Sequence, residues 1–286
     1  MTDHRAALVT GCSSGIGEAT ARSLALAGYR VYATARDTAS LRSLANLENI
    51  VPLTLDVTDD ESMKDAVARI TAEHGRVHVL VNNAGYALAG AAEDASIDQV
   101  RDQFEVNLFG LVRLTQLVLP GMREHGAGTV VNISSLFGRL PIPGGAFYAA
   151  SKHALEAYSE ALRLEVKPFG VRVVVIEPGP VKTPFGGAAI TSLSEAAGGP
   201  VYERFRTDLI AWYKAVYQGP KKNIAGVFAV SPQAVAKTVT RAAHSSRPRA
   251  RYPVGFLARM LIMLRRYAPQ PVYDAFVKFQ FPVPKK

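Results

Sequence analysis

Cysteine is all but missing. Cys12 is the one thiol among 286 residues, so no disulfide can form within the chain, which fits a reducing compartment. Long apolar runs are missing as well: none reaches the roughly 18 residues that a membrane span needs. Only about five polar residues precede the first apolar run, too few for a signal peptide. Together these absences make a cytoplasmic protein the expectation. The six histidines are scattered without ligand spacing, so no metal site is expected. Neither an internal repeat nor a low-complexity linker interrupts the chain.

Acid is scarce in one place. Residues 221–286 carry 13 Lys and Arg against the single acid Asp274, a net +12; with +9 for the whole chain, the preceding 220 residues sum to −3. A near-neutral body with a basic tail leaves nucleic acid, a membrane surface or plain solvation open as explanations of the tail. The rest is ordinary for a globule with a sizeable core, at 48% apolar and 20% charged residues.

Short valine-rich runs alternate with helical patterns. Segments 6–10, 30–35, 51–55, 77–81, 129–133 and 171–176 read as strands buried on both faces. Segments 15–27, 60–74, 99–125 and 148–166 carry helix periodicity between them. Such alternation means right-handed βαβ units and a parallel sheet. The expected architecture is α/β: a single-domain, Rossmann-like doubly wound parallel sheet over residues 1–254, helices on both faces and a ligand crevice at the carboxyl ends of the strands. Residues 184–230 break the rhythm with scattered Gly, Pro and aromatics, and read as an irregular lid over the substrate. Ser231-Pro232 starts another helix, 248–253 suggests a last short strand, and 255–286 form a basic amphipathic C-terminal helical extension.

The loop TGCSSGIG follows the first strand and opens a helix. Its Gly11, Gly15 and Gly17 let backbone approach a phosphate, and Ser13 and Ser14 add hydroxyl donors. A helix amino terminus with its unpaired N–H groups suits a pyrophosphate. An acid at the end of the second strand would bind the ribose 2′-OH of NAD, whereas an Arg nearby favours the 2′-phosphate of NADP. The sequence there reads VYATARD, with Ala35 in the acid's place and Arg36 next. NADP(H) is therefore favoured and NAD(H) stays possible, with Asp37 as the alternative ribose partner.

Tyr148 and Lys152 stand four apart in a helical pattern and face the same way. A nearby ammonium is expected to pull a tyrosine pKa down from about 10, making the pair an acid/base near neutrality. Ser135 directly follows the apolar run TVVNIS at the carboxyl edge of the sheet, and Asn107 lies inside a helix, where a buried amide needs partners.

Together, Thr10-Gly11-x-x-x-Gly15-Ile16-Gly17, Asn82-Asn83-Ala84-Gly85, Asn107, Ser135, Tyr148-x-x-x-Lys152 and Pro178-Gly179 resemble the short-chain dehydrogenase/reductase family over residues 6 to about 183. The resemblance implies an NAD(P)-dependent oxidoreductase. Tyr148 would exchange the proton at the substrate oxygen, and Lys152 would tune Tyr148 and bind the nicotinamide ribose. Ser135 would steady the substrate carbonyl, and Asn107 would hold a relay water. Asp56 and the Val57 backbone would meet the adenine, and Asn83, Ala84 and Gly85 the adenosine ribose. Pro178, Gly179, Val181 and Thr183 would surround the nicotinamide. The hydride belongs to the cofactor.

Leu136, Phe185, Tyr202, Phe205 and Trp212 are expected to wall an apolar pocket for a hydrophobic alcohol or ketone. The chain also resembles family members acting on steroids and retinoids. Two alternatives stay open: a 3-oxoacyl thioester reductase, and a non-catalytic NADP-binding sensor or scaffold. In VGFLARMLIMLRRYA, Phe256, Leu257, Met260, Leu261 and Leu264 are expected on one arc, opposite Arg259 and Arg266. That arc could cover the pocket, pack on a second subunit or lie on a membrane surface. No nucleic acid is expected, because the tail carries no recognised binding motif. The family resemblance implies a homodimer or homotetramer, with the Asn107 and Tyr148 helices at the interface.

Overall fold

The computed structural model describes residues 5–195, 199–217 and 224–284. Seven strands form one parallel sheet: β1 Ala6–Val9, β2 Arg30–Ala35, β3 Ile50–Thr54, β4 Val79–Asn82, β5 Gly128–Ile133, β6 Val171–Pro178 and β7 Arg251–Val254. Their order is β3-β2-β1-β4-β5-β6-β7, so the sheet changes winding direction between β1 and β4. Among the described residues there are ten helices of eight or more residues: α1 Gly15–Leu26, α2 Asp60–His74, α3 Ile97–Phe104, α4 Gly110–Glu124, α5 Ala146–Val166, α6 Phe185–Glu195, α7 Glu203–Tyr217, α8 Pro232–His244, α9 Phe256–Tyr267 and α10 Gln270–Gln280.

Strand side chains alternate between the two faces. Ala7, Val9, Val31 and Ala33 pack with Leu24 of α1 and Val235 and Val239 of α8. Ala6, Leu8 and Tyr32 pack on the other face with Ile70 of α2, Leu114 of α4 and Leu162 of α5. Every strand between the edges is therefore covered twice, which is why the runs are valine-rich rather than alternating. The α2 boundary has a local cause: Asp59 accepts from the N–H groups of Glu61 and Ser62, and Gly75 follows with a positive φ of 75°. Ser231 likewise caps α8 through the Ala234 N–H.

The segment expected as helix over 99–125 is helical without a break from 97 to 124, but not of one geometry. A capping box between Ser96 and Gln99 starts α3, a π-helical stretch Glu105–Phe109 continues it, and α4 follows. Just after the wider turn, Gly110 lies directly on the Val57 carbonyl, where a Cβ would collide, so the position takes glycine. The irregular lid is mostly helical: α6 and α7 pack through Ile190 and Leu193 against Phe205, Leu209 and Tyr213. Residues 196–198 and 218–223 of that insertion lie outside the described residues.

The C-terminal extension packs on the body. Leu257, Ala258 and Leu261 of α9 and Tyr273 of α10 bury against Leu136, Leu140 and Ile142, the segment following Ser135. The expected arc on α9 is split. Leu257 and Leu261 face inward with Leu264, whereas Phe256 and Met260 face outward, 62% and 42% exposed. Helix phase explains it: Phe256, Met260, Met263 and Tyr267 repeat every three to four residues and make a stripe of their own. No helix among the described residues is long and apolar enough to cross a membrane.

Candidate active site

A cleft of about 690 Å³ opens along the carboxyl ends of the strands, at the switch between β1 and β4. One end is the glycine loop. Gly11 and Gly15 have φ of +69° and +62°, and a Cβ on Gly17 would collide with the Gly11 carbonyl oxygen. Only glycine fits this turn. The Ser14 side chain makes no cap bond to α1, so the helix amino terminus and the serine hydroxyls face the cleft free to receive an anion.

The loop is braced from β4. Thr10 Oγ1 accepts from the backbone N–H of Asn83 and Ala84 at 2.9 and 3.0 Å. Asn83 Nδ2 donates to the carbonyls of Thr10 and Gly11 at 2.9 and 3.1 Å. The Asn83 side chain is thus committed to holding the loop.

Arg36 is exposed at the end of β2, lines the cleft and makes no hydrogen bond or ion pair among the described residues. Its neighbour Asp37 is occupied, since its carboxylate caps the following turn by accepting from the Ala39 N–H at 2.8 Å. Asp56 accepts twice from Thr58, through N–H at 2.9 Å and hydroxyl at 2.8 Å, and lines the cleft beside Val57.

At the other end, Ser135 follows β5 and accepts from the Phe137 N–H at 3.1 Å. Tyr148 sits in the first turn of α5, almost fully buried. Burial pushes its phenol up to about 12, opposed only in part by a hydrogen bond with Ser135. The expected lowering by Lys152 is absent here. Lys152 Nζ stands 5.9 Å from the Tyr148 ring centre and donates to the Ile133 carbonyl at 2.9 Å. Burial lowers the Lys152 ammonium to about 8, with Glu156 one turn on holding it up.

Asn107 lies on the π-helical stretch, 1% exposed, behind the cleft wall rather than on it. Its Oδ1 accepts from the Tyr86 N–H at 3.0 Å; its Nδ2 donates to the Tyr86 carbonyl at 2.9 Å and Ser151 Oγ at 3.2 Å. A Cβ on Gly85 would meet Asn107 Oδ1 at 3.0 Å and Lys152 Nζ at 3.7 Å, so the bare glycine keeps these groups close.

The structure brings Gly11, Ser13, Ser14, Gly15, Ile16, Arg36, Asp56, Val57, Asn83, Ala84, Gly85, Ser135, Tyr148, Lys152, Pro178, Gly179, Val181 and Thr183 to one cleft. Gly17 and Asn107 support it from behind. Leu136, Phe185 and Trp212 line the apolar end; Tyr202 and Phe205 do not. Phe205 is buried in the seam between α6 and α7, and the Tyr202 hydroxyl donates to Glu93 at 2.8 Å. Phe137 and Tyr217, unmarked in the sequence reading, line the cleft as well. The Tyr217 phenol is pushed up by burial, so it too faces apolar surroundings.

A family model described as short chain dehydrogenase matches residues 5–192. The chain is 36% identical over 272 residues to the probable short-chain type dehydrogenase/reductase VdlC of Helicobacter pylori, covering 95% of this chain and 96% of that protein. It is 33% identical over 274 residues to retinol dehydrogenase 8 of Bos taurus, covering 93% and 86%. Among solved structures it resembles the actinorhodin polyketide ketoreductase with NADPH, with TM-score 0.74 and 33% identity over 89% of this chain and 97% of that one.

Proposed function

The chain belongs to the short-chain dehydrogenase family of NAD(P)-dependent oxidoreductases acting on CH–OH groups, and on that premise we propose that it interconverts a hydrophobic ketone and alcohol, steroid-, retinoid- or lipid-like, with NADP(H). The observation that carries this reading is the buried Tyr148–Ser135 pair between the glycine-loop end of the cleft and an apolar end walled by Leu136, Phe185 and Trp212.

The residues present fit a dinucleotide. The glycine turn leaves a cradle that a Cβ would close, and the α1 amino terminus and serine hydroxyls supply donors. Arg36 is unengaged and Asp37 is occupied, which favours a 2′-phosphate over a bare ribose. Asp56, Asn83, Ala84 and Gly85 would line the adenosine half; Lys152, Pro178, Gly179, Val181 and Thr183 would line the nicotinamide half. When bound, the cofactor supplies or accepts the hydride.

The protein's part is proton management and positioning. With its phenol held up by burial, Tyr148 is protonated at neutral pH and can donate to an oxygen that becomes negative. Ser135 holds the carbonyl oxygen beside that proton. Lys152, charged below about pH 8, stabilises the phenolate left behind. Asn107 fixes the backbone at Tyr86 and the turn carrying Ser151. Among solved relatives the actinorhodin ketoreductase was captured with NADPH, and retinol dehydrogenase 8 is named for an apolar alcohol; both support the reading. The test is NADPH oxidation by the purified protein across steroid ketones, retinal, medium-chain ketones and a 3-oxoacyl thioester, with NADH in parallel. Turnover of apolar ketones favouring NADPH supports the proposal. Turnover confined to the thioester, or none while NADPH binds, replaces it with the reductase or sensor reading.

Two features of assembly belong to the same proposal. Phe109 and Leu164, 51% and 58% exposed beside or on α4 and α5, offer an apolar face for a homo-oligomer. The outward stripe of α9, flanked by Arg259 and Arg266 with no acid on the helix, offers a surface for anionic lipid.

A further inference from the structure

Two glutamates lie buried behind the cleft. Glu156 is one turn beyond Lys152 on α5, and Glu177 is the residue before Pro178 on β6; their side chains are 6% and 1% exposed. Two arginines bracket them. Arg251 of β7 places Nε 3.1 Å from Glu156 Oε2 and 3.7 Å from Glu177 Oε1, while its Nη2 pairs with Glu160 at 2.9 Å. Arg139, just after the Ser135 turn, stands 4.0 Å from Glu156 and 3.9 Å from Glu177. Among the described residues, Lys152 and these two arginines are the cations acting on the pair, and Glu160 is a further acid held by Arg251.

The arginines leave one oxygen of each carboxyl without a hydrogen bond. Glu156 Oε1 and Glu177 Oε1 are buried without a hydrogen-bond partner among the described residues, as is Ser134 Oγ. A Cβ on Gly138 would touch both Ser134 Oγ and Glu156 Cγ, so the Glu156 and Ser134 side chains share one pocket. A carboxylate oxygen left without a hydrogen bond in such a place is costly even beside an arginine, and two adjacent carboxylates cannot both ionise freely. A proton on one lets it donate to the other and removes both penalties. Burial and the neighbouring Glu156 charge push Glu177 up to about 7, against the pull of the arginines.

The location gives the pair a task. Three segments that build the active site end here: the Ser135 turn through Arg139, the Tyr148–Lys152 helix through Glu156, and the Pro178–Gly179 loop through Glu177. We propose that Glu156 and Glu177 form a proton-sharing carboxyl pair, clamped by Arg139 and Arg251, that ties these segments together and keeps a negative charge one helical turn from Lys152. Both are positioning residues acting through Lys152. Their catalytic consequence rests on the dehydrogenase reading; the pair itself does not.

The experiment therefore reads the pair without turnover. Infrared titration follows the carbonyl stretch of protonated carboxyl groups, and NMR of isotope-labelled lysine follows the Lys152 side chain. Wild type is expected to lose a carboxyl band near pH 7, and Glu177→Gln to lack that titration. Glu156→Gln is expected to lower the Lys152 midpoint by about one pH unit, with Glu156→Asp restoring it; Glu156→Ala serves in its place if the amide variant folds poorly. The pH profile of kcat should shift in step. A band that persists in Glu177→Gln, or a Lys152 midpoint indifferent to Glu156→Gln, overturns the proposal. If both spectroscopic results appear but wild type turns over no substrate, the pair stands and the dehydrogenase reading fails.

Discussion

Lys152 Nζ is tied to the Ile133 carbonyl at 2.9 Å, not to the Tyr148 hydroxyl. Ile133 ends β5, the strand that runs on into Ser135, so this bond sets the register of α5 against the strand end. The helix carrying Tyr148 is thereby fixed relative to Ser135 before any ligand arrives. Preorganisation of this kind places donors where charge develops, without reorganisation during the reaction.

The same burial makes Lys152 a pH-dependent element of stability. Its ammonium is lowered from 10.5 to about 8 in the folded state. Between those values the unfolded chain binds the proton and the folded one does not, so this group's contribution to stability rises with pH over that window. Below about pH 8 both states are charged and the burial cost is constant. Urea unfolding of wild type and Lys152→Met at pH 7.5 and 9.5 should show wild type gaining on the variant at the higher pH. A pH-independent difference would mean that Lys152 is solvated.

Tyr148→Phe keeps the ring packed edge-on against Phe137 and removes only the proton. Turnover should fall by about 10²–10⁴-fold, the usual value of a positioned acid, while NADPH binding by fluorescence stays near wild type. Activity within a few-fold of wild type would remove Tyr148 from the chemistry.

Arg36 lines the cleft, and on the proposed reading cofactor choice turns on it. A charge-assisted hydrogen bond is worth about 1.5–3 kcal/mol, so Arg36→Ala should lower kcat/KM for NADPH by about 10–100-fold and leave NADH nearly untouched. An unchanged ratio between the two cofactors would show that the 2′-phosphate is read elsewhere.

The sheet was legible because buried parallel strands are written as short apolar runs, and α2 because its apolar residues recur at helix spacing, with Met63, Ala66 and Ile70 buried. The π-helical stretch was not. It leads into Gly110, which packs on Val57, a residue distant in sequence, and periodicity carries no trace of either. Phe205 looked like pocket wall by composition alone. Phe205, Leu209 and Tyr213 at four-residue spacing form the seam with α6, and Tyr217, next at the same spacing, carries that seam to the cleft. The motif residues at the cleft were readable one by one, but Glu156 and Glu177, 21 positions apart, meet only in the folded chain.

Gly17 and Gly187 make a matched pair for testing the phosphate loop. A methyl on Gly17 collides with the Gly11 carbonyl oxygen, backbone that cannot swing aside, whereas one on Gly187 in α6 meets nothing within 4 Å. Gly17→Ala should destabilise by about 1–3 kcal/mol and weaken NADPH binding. Gly187→Ala should be neutral or stabilise by up to about 1 kcal/mol through helix propensity. Thermal unfolding with and without NADPH checks both. Normal binding by Gly17→Ala would show that the loop relaxes.

The C-terminal stripe separates packing from lipid contact, because one helix carries both faces. Phe256→Ser, Met260→Ser and Met263→Ser together remove outward apolar area and leave Leu257 and Leu261 packed on the segment after Ser135. The triple variant should unfold at nearly the wild-type temperature. Fully burying such side chains is worth about 1.5–3 kcal/mol each, so even partial insertion should cost at least about 10-fold in sedimentation with anionic liposomes. Wild-type binding should also weaken in high salt and on zwitterionic vesicles, since Arg259 and Arg266 act through screened charge. Binding indifferent to salt and to the three substitutions would assign the stripe to a protein contact, and the variant's oligomeric state by light scattering would then report it.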